Sequence, residues 1–304
     1  MARRSATAAR SIAPWEENHG PSVYDDAGLD DVRELLRGHR RDGTWEPPVM
    51  PSTVRQALEM TKDPEASFGG IAGVLESDPA LTAQLLKLAN SPMFRGAVPI
   101  SGLRQALVRI GLRGFIQLLM VASLSKVLVV RGHRGITAQL QERATAVGVA
   151  AAEIARAVDM DRDAAFTAGV LHDVGIALGY GLLGACDRYL PADICDSPAR
   201  KWHLVEELHQ ELGLALAQQW RLPPDVCGAV GFHHDPDAAP PDARQMGWLV
   251  AAAIHVVDHA GIRPERPRDC PLGERSFFVL GLALSELPEL ALETRKRMGL
   301  VPIE

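Results

Sequence analysis

Apolar residues recur every three or four positions along most of this chain, and from Ser52 onward that spacing predicts one helix after another. The predicted helices span 52–60, 68–75, 80–90, 115–130, 136–158, 164–179, 204–220, 224–234 and 246–260. Asp78-Pro79 reads as an N-cap with proline at the first helical position, opening a helix with Leu81, Leu85 and Leu88 on one stripe. Ser101 is expected to cap a further helix through Leu103, Ala106, Leu107 and Ile110, with Gly111 ending it. No stretch alternates with the β-branched and aromatic content of a strand, so the fold class is all-α.

The ends are less regular. Residues 1–44 carry proline, glycine and both charge signs with one weak helical patch at 29–36, which reads as a flexible or surface-draped segment. The proline-rich run from Glu46 to Pro51 marks the start of a packed region expected to reach residue 262. Residues 263–304 form a tail that is Pro- and Arg-rich to Arg275, with helical signals at 277–284 and 285–298.

Composition narrows the function class. At 304 residues the chain can bury a full core, and 47% hydrophobic with 23% charged residues describes an ordinary soluble protein. A formal charge of -6 leaves no basic footprint for nucleic acid. Cys186, Cys195, Cys227 and Cys270 lie far apart without a C-x-x-C pair, which fits a reducing cytoplasm and argues against a disulfide framework. The start, MARRSATAAR, has no apolar run behind it and reads as a loose tail, not a secretory signal. The apolar stretch 115–130 is interrupted by Gln117, Ser123, Ser125 and Lys126 and is short for a bilayer, so it is expected to be a central buried helix, with no membrane contact.

Candidate chemistry comes from ionisable residues standing in apolar stripes. Asp173 follows Phe166, Gly169 and Val170; Asp258 follows Ala251, Ile254 and His255; His233 follows Val226, Ala229 and Val230. His209 sits among Val205, Leu208 and Leu212, and Arg143 among Leu140, Ala144 and Val147. A carboxylate on a buried face must be neutralised by a metal, an arginine or a proton. Imidazole and carboxylate groups converging from separate helices suit a divalent ion. The plainer reading keeps each histidine as a core residue bonded to a backbone carbonyl, and Arg143 as a surface residue with its stem along apolar neighbours.

The run Leu171-His172-Asp173-Val174-Gly175 resembles the signature of HD-domain metal-dependent phosphohydrolases, with His209, His233-His234 and Asp258 following in order. The stretch from Ser77 to Ser91, SDPALTAQLLKLANS, resembles more specifically the HDOD family, the HD-related output domain of bacterial signalling proteins, as does Trp220-Arg221-Leu222-Pro223. The resemblance implies an HD-like helical bundle with an N-terminal helical lobe, divided as 45–132 and 133–262. It also implies a candidate metal set of His172, Asp173, His209, His233, His234 and Asp258. Relatives that hydrolyse cyclic di-GMP carry a Gly-Tyr-Pro motif after the double histidine and a lysine after His-Asp-x-Gly. Here those places hold Asp235-Pro236-Asp237 and Ile176.

One further departure bears on the metal. Enzymatic HD proteins place a first histidine one helix before the His-Asp pair, and that place holds Arg143. A guanidinium keeps its proton and cannot ligate a cation. Arg143 is therefore expected to replace the ion's charge by pairing with Asp173 or Asp258, with His255 orienting Asp258 from one turn away. The expected function is a regulatory signal-transduction module with a degenerate site, low metal occupancy, no catalytic residue and no required cofactor. It would act in trans on a signalling protein or bind a nucleotide or cyclic-dinucleotide effector. The alternative is a metal-dependent phosphohydrolase or phosphodiesterase for a nucleotide or cyclic dinucleotide, using Fe, Mn, Zn or Mg. The sequence carries no signal for oligomeric state.

Overall fold

The computed structural model describes residues 29–63, 65–91, 94, 98–262 and 272–300. Among them the chain forms fourteen α-helices and no strand. These are α1 (Leu29–Arg41), α2 (Ser52–Met60), α3 (Phe68–Glu76), α4 (Pro79–Ala89), α5 (Leu103–Val127), α6 (Arg134–Ala157) and α7 (Arg162–Leu171). They continue as α8 (Val174–Cys186), α9 (Ala192–Cys195), α10 (Pro198–Gln219), α11 (Pro224–Phe232), α12 (Arg244–His259), α13 (Gly273–Val279) and α14 (Leu287–Arg297).

Two apolar cores organise them. The smaller gathers Val54, Ile71, Leu75, Leu81, Leu85, Leu103 and Leu107 from α2 to α5. The larger is built from α6 to α12 with contributions from both ends of the described chain. α5 belongs to both. Phe115, Leu118, Leu119 and Ala122 face the smaller core, while Met120, Leu124 and Leu128 face the larger. A helix sandwiched in this way must be apolar all round, which accounts for the greasy run at 115–130. By length and composition Leu103–Ser125 and Arg162–Tyr189 are apolar enough to cross a membrane, and 78% of the second window is buried inside the protein.

Local signals act largely as the sequence implies. Asp78 accepts hydrogen bonds from the Ala80 and Leu81 amides at the start of α4, with Pro79 at the first position. Gly111 breaks α5 with φ 77, a left-handed value that favours glycine. Ser101 does not cap α5. Gly102 occupies that place, and the Gln105 side chain reaches back to accept from the Ser101 amide at 2.9 Å.

The ends of the packed region differ from expectation. Of the segment expected to be flexible, residues 1–28 lie outside the described residues, but 29–41 form the packed helix α1. Leu29, Val32 and Leu36 are buried in the larger core, each worth about 1.5–3 kcal/mol by transfer. Three well-buried aliphatic side chains outweigh the weak periodicity that makes this stretch look loose. At the other end α14 packs on α6 and α12. Its Arg297 reaches the buried Glu153 of α6 at 3.1 Å, where Arg156 and Arg162 also converge.

Candidate functional site

The helix expected over 164–179 is two helices, and His172 and Asp173 form the joint between them. His172 keeps helical angles at the end of α7, while Asp173 leaves them, with φ -104 and ψ 13. The break presses the start of α8 against α10. Gly175 makes the contact possible, because a Cβ there would lie 1.8 Å from the carbonyl oxygen of His209. The glycine of the His-Asp-x-Gly run thus sets the distance between the Asp173 joint and the His209 helix.

Three buried histidines share one construction. His172 Nδ1 donates to the Gly169 carbonyl at 2.8 Å, His233 Nδ1 to Val230 at 3.0 Å, and His209 Nδ1 to Glu206. In a neutral ring whose Nδ1 carries the proton, Nε2 is the nitrogen that presents a lone pair. The core-residue reading therefore describes one nitrogen of each ring, and the Nε2 atoms of His209 and His233 both turn toward Asp173. Asp173 Oδ1 lies 3.6 Å from His209 Nε2 and 3.7 Å from His233 Nε2. The two Nε2 atoms stand 3.3 Å apart.

This donor set fits a cation. One donor atom each from Asp173, His209, His233 and His234 falls within 4.8 Å of the others. His172 Nε2 is buried without a hydrogen-bond partner and lies 3.2 Å from Asp173 Oδ2. Burial pushes the His233 pKa below its ordinary value, and His172 adds to that while Asp173 opposes it. Neutral imidazole is the form that binds metal.

Asp258 stands outside this group and is ion-paired instead with a cation that the chain itself carries. Arg143 Nη1 lies 2.7 Å from Asp258 Oδ1 and donates to the Ile262 carbonyl at 2.9 Å. The Arg143 side chain is 10% exposed, so its positive charge is spent on this carboxylate and the end of α12. Between the two carboxylates that the sequence offers it, the guanidinium takes Asp258. His255 packs against Gly273 and the edge of the Phe277 ring. Burial lowers its pKa, and the Asp258 charge works against that.

Periodicity missed other members of this region. The Ile262 carbonyl and Arg295, which donates to the Ala260 carbonyl at 2.8 Å, both hold the end of α12. Neither carries a sequence signal, since backbone carbonyls are anonymous and Arg295 lies in the tail. Glu153 is buried among its arginines, and its surroundings of small residues from Val149 to Ala155 were a legible hint.

The chain is similar to proteins already described. The model of the family HDOD domain matches residues 48–236, which include Asp173, His209, His233 and His234 but not α1, Asp258 or α13 and α14. An uncharacterized protein of Treponema pallidum (strain Nichols) is 27% identical over 218 residues, 68% of this chain and 41% of that protein. The chain therefore spans less than half the length of this curated relative. A Shewanella amazonensis structure, provisionally named a metal-dependent phosphohydrolase, matches with TM-score 0.69 at 16% identity over 90% of this chain and 99% of that one. A Marinobacter aquaeolei VT8 structure, provisionally named a signal transduction protein, matches with TM-score 0.64 at 20% identity over 90% of this chain and 65% of that one. At these identities the two structures establish a shared fold.

Proposed function

This chain belongs to the HDOD domain family, and from that premise we propose that it is a regulatory signal-transduction module which binds a partner protein or small effector. In this reading its HD-type site is divided in two. One half is closed permanently by Arg143. The other half, Asp173 with His209, His233 and His234, takes one divalent ion.

The observation that carries the reading is the 2.7 Å pair between Arg143 and Asp258. A guanidinium stays charged at any accessible pH, so Asp258 is withheld from a metal. A bound divalent ion would supply Lewis acidity and lower the pKa of a coordinated water. The chain's own groups supply the rest: imidazoles oriented by backbone carbonyls, and one carboxylate in a nearly buried place. Ile176 and Asp235-Pro236-Asp237, in the places where hydrolytic relatives carry lysine and Gly-Tyr-Pro, favour binding over turnover. A reducing cytoplasm suits the free thiols of Cys186, Cys195 and Cys227.

The runner-up, a metal-dependent phosphohydrolase acting on a nucleotide or cyclic dinucleotide, draws on the four-donor group itself. Elemental analysis of protein purified without chelator, followed by assays on a nucleotide and cyclic-dinucleotide panel, separates the two. The regulatory reading expects one ion of Fe, Mn or Zn per chain and no turnover, and a chain that holds none would remove its one-ion part. Two ions per chain, or steady hydrolysis of any member of the panel, would sink it.

A further inference from the structure

α1 lies outside the part of the chain that matches the family, yet it grips the helix that carries His209. Arg33 makes a two-pronged pair with Glu207, Nε at 2.6 Å and Nη2 at 2.9 Å. Arg40 and Arg37 reach Glu211 at 2.6 and 3.3 Å. Glu207 and Glu211 stand two residues before and after His209 on α10. Two residues on an α-helix turn about 200°, so the carboxylates point out to α1 from the face opposite the imidazole.

The same strap touches the second ligand-bearing helix. α1 packs on α8, whose first residues follow Asp173 and press on the His209 backbone at Gly175. Past α1 the chain touches the end of α10 again, where the Trp220 indole donates to the Pro48 carbonyl at 2.9 Å. The N-terminal element therefore clamps α8 to α10 from outside, while Asp173 and His209 meet inside with Oδ1 and Nε2 3.6 Å apart.

We propose that docking of α1 and occupancy of the Asp173, His209, His233 and His234 centre are linked: α1 positions two helices that bring ligands together, and an ion bound between them tightens α1 in return. The linkage rests on the one-ion reading above. It makes α1 the element through which the state of the buried site reaches the surface. The basic stripe Arg33, Arg37 and Arg40 can be displaced by a competing cationic surface or modified by charge, and α10 then loses its outer brace. Reciprocity is required thermodynamically, since each event changes the free energy of the other by the same amount.

The test uses the full chain and Mn2+ or Zn2+ as the probe. Ion affinity is measured by calorimetry for wild type, for Arg33→Glu with Arg40→Glu, and for that pair combined with Glu207→Arg and Glu211→Arg. The charge reversal is expected to weaken ion binding about tenfold, within the range usual for coupled sites, and the swapped set to recover most of the loss. Amide exchange across 29–41 in wild type is expected to slow when the ion is added. A wild type that binds the ion, with affinity unchanged by reversal and exchange unchanged by the ion, overturns the linkage alone. A wild type that binds neither ion overturns the one-ion reading and the linkage with it.

Discussion

Arg143 has the clearest energetic signature of any single residue here. Its removal leaves Asp258, with a 22% exposed side chain, facing the end of α12 without its guanidinium. Breaking a well-buried pair from one side costs about 3–5 kcal/mol, and partial exposure lowers the expectation for Arg143→Ala to about 2–3 kcal/mol. Removing both partners together should cost less than the sum of the two single changes, by at least about 1 kcal/mol. Urea unfolding of the two single variants and the double variant checks this, and strict additivity would show that the pair contributes nothing as a pair. The participants were legible in the sequence because each interrupts an apolar stripe. The choice of Asp258 over Asp173 was not, since a contact between residues 115 apart leaves no trace in local periodicity.

Elements come next, and the sequence located most of them because helix period and core burial agree. It failed where geometry breaks the period. The 164–179 stripe reads through the His172-Asp173 joint, since the residues on either side keep a helical pattern although the chain turns between α7 and α8. Asn90 shows the converse, a helix terminator with a second task. Its Nδ2 donates to the Leu86 and Ile100 carbonyls at 2.9 and 2.8 Å, and its Oδ1 accepts from the Ile100 amide at 2.7 Å. That clamp ties the end of α4 to Ile100, a residue of the smaller core. Asn90→Ala should destabilise the protein by about 1–3 kcal/mol, because Ile100 loses partners for both of its backbone groups. Denaturation gives the size, and faster amide exchange at Ile100 and in the first turn of α5 would locate the loss.

For the whole molecule, burial of the His233 imidazole sets a limit on acid tolerance. His233 has its pKa pushed below the ordinary 6.5, chiefly by burial. Between 6.5 and that lowered value the unfolded chain holds the extra proton, so unfolding is favoured as pH falls. The stability is complete above about pH 6.5 and declines below it, at up to about 1.4 kcal/mol per pH unit for one such group. Urea midpoints measured from pH 8 to 5 should fall in that window, and His233→Gln should flatten the slope. A slope that persists unchanged in the variant would assign the effect elsewhere. The two cores joined by α5 were foreshadowed by its all-round apolarity, whereas the packing of α1 and α14 depends on partners far along the chain and was hidden.

One consequence of the Arg143 and Asp258 pair extends to how the protein meets its surroundings. A positive charge carried on α6 has no dissociation rate and draws on no supply. On the proposed reading, half of the centre would keep its shape when iron or manganese is scarce, since the guanidinium is part of the chain. An ion taken up by the other half would then bind beside a fixed internal reference.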